Sequence, residues 1–355
     1  METEIKNIAS LFLDNLSVIS TTPFGGGHIN DTYLIEVHGR KLKYVLQKIN
    51  KNVFKTPMHV ILNIENYLSH LHQQNEKQLK TFKTREGNPF VIDENGDYWR
   101  MYNCVEDALS FDVIEEENQA FEAAKAFGKM QRLSLDLDPK AFRETIPDFH
   151  NLDKRYHKFD RALSSARKER LFNAEKEILF VQEQRKISEL ISNLISSGDL
   201  PIRITHNDTK LNNVLLSKAT GKGICVIDLD TLMPGSVLYD FGDMVRTFTS
   251  PVPEDEKDSA KVILRKEIFA ALSKGYLSEL ATVLTKVEKE QLINGAKYMI
   301  LIIGLRFLTD YLEKDIYFKT AYPEHNLVRA RNQFALLKDL MRNEEELKKI
   351  ISAYF

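Results

Sequence analysis

The segment from Ile202 to Asp230 constrains this chain more than any other. Three short apolar runs stand in it: Ile202-Arg203-Ile204, Val214-Leu215-Leu216 and Ile224-Cys225-Val226-Ile227. Between the first two lies His206-Asn207-Asp208-Thr209-Lys210-Leu211-Asn212-Asn213, and the third leads into Asp228-Leu229-Asp230. Such a pattern reads as strand, loop, strand, turn, strand. It carries an Asp, an Asn five residues later and a second Asp twenty residues on to one edge of a hairpin. Asn and Asp also favour surface turns, but these residue types are what phosphoryl transfer needs. One carboxylate orients and deprotonates an acceptor hydroxyl, while an Asn and another carboxylate hold Mg²⁺ against nucleotide phosphates.

The segment resembles the catalytic and metal loops of the kinase-like phosphotransferases, in the branch that includes aminoglycoside and choline kinases. An H-x-D-x-x-x-x-N loop precedes an I-D-x-D loop there, and both patterns are present here. The resemblance implies Asp208 as catalytic base, Asn213 as a Mg²⁺ ligand and Asp228 as the main Mg²⁺ ligand, with Asp230 as an additional one. It implies ATP and Mg²⁺ as cofactors. The implied fold is α+β and bilobal, protein-kinase-like, with a β-rich N-terminal nucleotide-binding lobe over residues 1–104. A mostly helical C-terminal lobe over residues 105–355 would carry catalysis and substrate, with the active site in the cleft. Asp240-Phe241-Gly242 looks like the metal motif of protein kinases, but it lies twelve residues beyond Asp228. That is too far for the same hairpin, so Asp240 and Asp243 are expected to brace the loops or cap a helix.

Composition fits a globular protein: 43% hydrophobic and 28% charged residues over 355 positions, ample for a large core. A formal net charge of −2 gives no reason to expect nucleic acid or an anionic membrane as partner. Cys104 and Cys225 sit far apart in apolar runs, without metal-site or disulfide spacing. The start, Met1-Glu2-Thr3-Glu4-Ile5-Lys6, lacks the pattern of a signal peptide. The most apolar run, Tyr298 to Leu305, is too short to span a bilayer. A cytoplasmic protein with no obligatory protein partner is the expectation.

The first hundred residues predict a small β-rich lobe. Phe24-Gly25-Gly26-Gly27-His28-Ile29-Asn30-Asp31 turns the chain into a strand over Thr32–Val37, and Tyr44–Ile49 reads as the next. Consecutive glycines let backbone N–H groups approach a phosphate closely, so Gly25, Gly26 and Gly27 are candidate ATP contacts, although G-x-G-x-x-G spacing is absent. A kinase-like lobe needs a cation on its third strand. Here Gln47 stands where Lys or Arg is expected, and Lys48 follows. Adjacent strand residues face opposite sides. Either Gln47 meets the phosphates as a neutral donor, or a bulge turns Lys48 inward. A helix should begin at Thr56-Pro57 with the stripe Val60, Ile61, Ile64, Tyr67 and Leu68, and Glu65 on it is a candidate ion-pair carboxylate. Asn95-Gly96 marks a hairpin between Pro89–Ile92 and Tyr98–Tyr102. By the resemblance, the interlobe hinge falls near Tyr102 to Val105, making Tyr102 and Cys104 candidate adenine neighbours.

From Glu116 the pattern turns helical, with Phe121, Ala124, Phe127, Gly128, Met130 and Leu133 as one apolar stripe. Tyr156 to Ser197 suits one or two exposed helices, and Gln291 to Leu312 a further apolar one. Outside the catalytic loop the chain also resembles the bacterial N-acetylhexosamine 1-kinases. The match runs through Gly27 to Tyr33, Leu46 to Asn50, Glu144 to Asn151, Arg306 to Leu312, Asp315 to Phe318 and His325 to Leu327. That resemblance implies phosphorylation of the anomeric hydroxyl of N-acetylglucosamine or N-acetylgalactosamine. It makes Arg306, Tyr317 and Asn326 candidate sugar contacts, with His28 and Asn30 possible on the sugar or phosphate side. An Arg on an apolar helix is costly unless paired or facing a cleft, and Asp310, four residues on, is the alternative partner. A kinase of choline, homoserine or an aminoglycoside, or a nucleotide-binding pseudokinase, would share the catalytic loop.

Overall fold

The computed structural model describes residues 2–13, 16–26, 29–76 and 79–355. The chain divides into two compact units. One comprises Met1–Ala108, Asp138–Pro147 and Ile227–Pro234, and the other Leu109–Leu137, Asp148–Val226 and Gly235–Phe355.

The first unit opens with α1 (Glu2–Phe12) and the strands β1 (Val18–Pro23), β2 (Asp31–Val37) and β3 (Tyr44–Lys48). Then come α2 (Pro57–Gln73), β4 (Thr81–Phe82), β5 (Val91–Ile92) and β6 (Tyr98–Asn103), and the two-residue β7 (Ala108–Leu109) falls at the division between the units. The antiparallel sheet runs β1-β2-β3-β6-β4, with β5 also on β6. Period-2 alternation sorts its faces. Ile35, Val37, Tyr44, Leu46, Trp99 and Met101 join Ile5, Ile8 and Phe12 of α1 in one apolar core. Gln47, Arg100 and Tyr102 therefore lie on the opposite face, where Gln47 is directly across from Arg100. The predicted stripe on α2 is buried, and so is Asn63, which donates to the carbonyls of Arg143 (2.7 Å) and Leu232 (2.8 Å). Those bonds pin two chain segments remote in sequence onto α2.

The second unit is mostly helical: α3 (Glu117–Leu133), α4 (Leu152–Ser165), α5 (Lys168–Asn173), α6 (Glu175–Glu183) and α7 (Arg185–Ser196). The strands β8 (Arg203–Thr205), β9 (Val214–Ser217) and β10 (Gly223–Val226) follow, and β11 (Met233–Gly235), whose first two residues are counted with the first unit, precedes α8 (Val237–Thr249). The chain ends with α9 (Lys266–Leu280), α10 (Lys286–Leu312), α11 (His325–Arg342) and α12 (Glu344–Ser352). The stretch expected to form one or two helices is broken into four, α4 to α7, with Asp153 of α4 accepting bonds from Ser188 and Ser192 of α7. The apolar helix starts at Lys286 and not Gln291, because Thr285 and Glu288 form a reciprocal capping box. α10 is long and apolar enough to cross a membrane by length and composition, and 78% of its most apolar window is buried inside the fold. It packs on α8 where Gly242 faces Gly295. A Cβ on Gly242 would strike the Gly295 carbonyl oxygen, and Met299 at 2.8 Å.

Candidate active site

The second unit presents the candidate base on a braced loop. Beyond β8, Asn207 adopts φ 64°, a left-handed turn that ends the strand and leads into Asp208. Asp240, in the first turn of α8, holds that turn: its carboxylate accepts from the backbone N–H of His206 (3.0 Å) and of Asn207 (2.7 Å), and from Gln131 Nε2 (2.9 Å). Thr209 Oγ1 donates to the Asp240 carbonyl at 2.7 Å. Gly235 packs so closely on Thr205 and Asn207 that no side chain fits there. Burial raises the pKa of Asp240, against the pull of His206 and its three donors.

Asp208 faces cations. Lys210 Nζ lies 2.9 Å from Oδ1, and Asn213 Nδ2 donates to the Asp208 carbonyl (2.8 Å) and to Oδ2 (3.2 Å). Burial alone would raise its pKa, but Lys210, then His206 and Arg246, outweigh that and hold it below the ordinary carboxylate value. Asp208 is thus ionised at neutral pH and ready to accept a proton. Asn213 spends its amide nitrogen on Asp208, which leaves its amide oxygen as a donor for a hard cation. Arg246, buried, is held by Asp243 and Glu254, both at 2.8 Å.

A cavity of about 50 Å³ in the same unit is lined by Arg155, Lys158, Arg306, Thr309, Asp310, Tyr317 and Phe318. Lys158 is paired with Glu313 at 2.7 Å. Arg155 instead donates to the carbonyls of Asp148 and Phe149, and its Nε has no partner among the described residues. Burial, then Arg306, pushes its pKa down to about 10. The Arg306 guanidinium lies 5.5 Å from the rings of Phe149 and Phe318 and 5.9 Å from that of Tyr317. Its pKa too is lowered by burial, with Tyr317 opposing. Asp310 is not its partner. That carboxylate accepts from the backbone N–H of Tyr317 (2.8 Å) and Phe318 (2.9 Å) and from Asn326 Nδ2 (2.9 Å). Asn326 is fully buried and also donates to Asp315 at 2.9 Å, so it secures the loop carrying Tyr317, which is itself 62% exposed. His150 connects this region to the catalytic loop: its Nε2 bonds the Asn207 carbonyl at 2.9 Å, and its ring packs on Phe149 and Tyr239. Burial holds His150 down to about 4, against the Asn207 bond.

The first unit carries the candidate nucleotide residues. Gly25, with φ 81°, and Gly26 have open space where a Cβ would stand; Gly27 and His28 lie outside the described residues. Asn30 Nδ2 donates to Asp230 at 2.7 Å, and its Oδ1 accepts from Asn50 N at 3.0 Å. β2 and β3 pair in regular register without a bulge. Lys48 therefore lies on the face opposite Gln47, bound to Asp31 at 2.9 Å. Glu65 is engaged by Thr81 and by Lys83 at 3.5 Å. Tyr102 is buried, which raises its phenol pKa, and Arg100 lies over its ring at 5.2 Å. Cys104 is half-buried and spends its N–H on the Lys43 carbonyl at 2.9 Å. Asp228 adopts φ 57° at the start of a helical turn over Leu229–Thr231, and Asp230 is buried against Arg100. Among the described residues no group of three or more His, Cys, Asp or Glu side chains gathers as a metal cage. Mg²⁺ held by one or two carboxylates plus phosphates needs none.

The phosphotransferase enzyme family (APH) matches residues 20–271, well over half of the chain. The chain belongs to that family. Phosphoryl transfer to an alcohol acceptor is therefore its chemistry, and the Asp208 loop lies inside the matched region. Solved structures with the same fold include a microcompartment-associated aminopropanol kinase, at TM-score 0.62 and 14% identity over 98% of both chains. The amicoumacin kinase hAmiN, in complex with AMP-PNP and Ca²⁺, aligns at TM-score 0.61 and 14% identity, over 95% of this chain and 93% of that one. Choline kinase from Cryptosporidium parvum Iowa II aligns at 0.57 and 14% over 99% of both. Lys210, His150, Arg155 and Arg100 escaped the sequence reading. Arg100 alone left a signal, an unexplained charge inside the strand Tyr98-Trp99-Arg100-Met101-Tyr102.

Proposed function

We propose that this protein is an ATP-dependent kinase that phosphorylates the anomeric hydroxyl of N-acetylhexosamines. The carrying observation is the electropositive cavity around Arg155 and Arg306, neither guanidinium having a carboxylate partner among the described residues. Such a cavity repels an ammonium group, as choline, ethanolamine or an aminoglycoside would bring. It suits hydroxyl and acetamide oxygens, which accept hydrogen bonds from guanidinium N–H groups. Arg306 and Tyr317 are the assigned sugar contacts, with Arg155 beside them and Asn326 holding the loop that carries Tyr317.

Asp208 accepts a hydrogen bond from the anomeric O–H, aims its oxygen at the γ-phosphorus and takes the proton as transfer proceeds, while Lys210 keeps the carboxylate ionised. Asn213 and Asp228 are the residues that would hold Mg²⁺, which supplies charge neutralisation on the phosphates. The test follows ADP release with N-acetylglucosamine, N-acetylgalactosamine, galactose, glucuronic acid, choline and an aminoglycoside, each beside Asp208→Asn. Turnover on the N-acetylated sugars, reduced about 10²–10⁴-fold in the variant, is the expected result. Turnover confined to an amine refutes the substrate class, and a fully active Asp208→Asn refutes the base.

A further inference from the structure

The third strand of the sheet lacks the cation that a kinase-like lobe uses on nucleotide phosphates, since Gln47 occupies the position and Lys48 lies on the far face with Asp31. The position directly across from Gln47 is Arg100 on β6. Arg100 is 2% exposed, and its guanidinium meets three neighbours. Nε and Nη2 donate to Gln47 Oε1 at 3.2 and 3.0 Å, Nη2 also bonds Asp230, and the Tyr102 ring lies beneath. Nη1 is buried with no acceptor among the described residues. A buried N–H without a partner is costly, the more so on a charged group.

We propose that Arg100 is the phosphate-gripping cation of the nucleotide site, its Nη1 N–H groups bonding the phosphate oxygens of the bound nucleotide. The inference rests on the reading of this protein as an ATP-dependent kinase. Gln47 then serves as the orienting acceptor that fixes the fork, with its own amide steadied by Thr32 Oγ1 at 3.1 Å. Asp230 takes the part that a helix glutamate plays for a third-strand lysine. Glu65 of α2, the obvious alternative for that part, is engaged by Thr81 and Lys83. Asp230 is tied at its other oxygen to Asn30, next to the glycine turn, so one cation links the metal loop and that turn.

The experiment is calorimetric binding of adenosine, AMP, ADP and ATP, without acceptor, to the wild-type chain, Arg100→Gln, and the swap Gln47→Arg/Arg100→Gln. The wild type should bind ADP and ATP far more tightly than adenosine. Arg100→Gln should lose about 10- to 100-fold on ADP and ATP, the weight of one or two charge-assisted bonds, and nothing on adenosine. The swap returns the cation to the neighbouring strand and should recover most of that affinity. Undiminished phosphate-dependent affinity in Arg100→Gln would overturn the role of Arg100 while leaving the kinase reading intact. Absence of any phosphate-dependent affinity in the wild type would overturn both. If Arg100→Gln alone loses adenosine as well, the swap decides: adenosine binding without recovered ADP affinity refutes the proposal.

Discussion

Replacing Asp240 with Asn alters one atom type in a side chain that touches no substrate in our reading, and it should loosen the catalytic loop. The native carboxylate receives three N–H groups: Asn207 on Oδ1 at 2.7 Å, and His206 and Gln131 on Oδ2 at 3.0 and 2.9 Å. An amide offers one oxygen. Placed at the Oδ2 position, it turns its nitrogen against the Asn207 N–H. Placed at Oδ1, it turns the nitrogen against the His206 N–H. Gln131 could then be relieved only by rotating its own amide, which strips the Ile204 carbonyl of a donor at 2.9 Å. One buried backbone N–H is orphaned either way, at about 1–3 kcal/mol. The remaining bonds lose their ionic character, about 1 kcal/mol each. Relief of a buried charge, whose pKa burial already raises, offsets part of this. The net destabilisation should be about 2–4 kcal/mol. Urea denaturation gives the global value, and hydrogen exchange at the His206 and Asn207 amides locates it. Turnover should fall as well, since displacing a reacting group by about 1 Å can cost about 10²-fold. An unfolding free energy within about 0.5 kcal/mol of wild type, with unchanged protection at those two amides, would refute the bracing argument.

The pH dependence of stability offers a second check. His150 has a native pKa depressed to about 4 by burial, so the unfolded chain binds a proton at higher pH than the native one does. Its stabilising contribution is complete above about pH 6.5 and is lost as pH falls towards 4. By pH 5 the loss should reach about 2 kcal/mol, and His150→Gln should be insensitive to that interval in parallel denaturation curves. Gly242→Ala places a methyl group against the Gly295 carbonyl and 2.8 Å from Met299 Cγ. It should cost about 1–3 kcal/mol through overpacking and lower Tm, whereas an unchanged melting curve would show that α8 and α10 part easily.

Much of the fold was legible because its signals are local. The α2 stripe, the Asn95-Gly96 hairpin and the strands around the Asp208 loop each depend on neighbours within a dozen residues. The start of α10 was equally local, a Thr-x-x-Glu capping box at Thr285 that outranks the apolar pattern beginning later. The site residues divide along the same line. Asp208, Asn213 and Asp228 stand out as oxygen-bearing side chains between apolar strands. Arg100 depends on a register that joins positions 53 residues apart, and single-sequence periodicity does not reveal which strands pair. The alternative partner for Arg306 failed for a similar reason. Helical spacing brings Asp310 within reach, but three donors from a loop and a later helix take its carboxylate first.

The first compact unit is not finished where its sheet ends. It also needs Asp138–Pro147 and Ile227–Pro234. During synthesis the sheet strands would leave the ribosome long before residue 234. At about 5–20 residues per second, Arg100 would wait on the order of ten seconds for Asp230, and Asn63 equally long for the Leu232 carbonyl. Throughout that interval a guanidinium destined for burial has Gln47 and the Tyr102 ring as company but no carboxylate. The nascent lobe should therefore remain soft and a client for chaperones until the metal loop emerges. A stop codon placed after residue 108 would yield a fragment lacking the segments that close it.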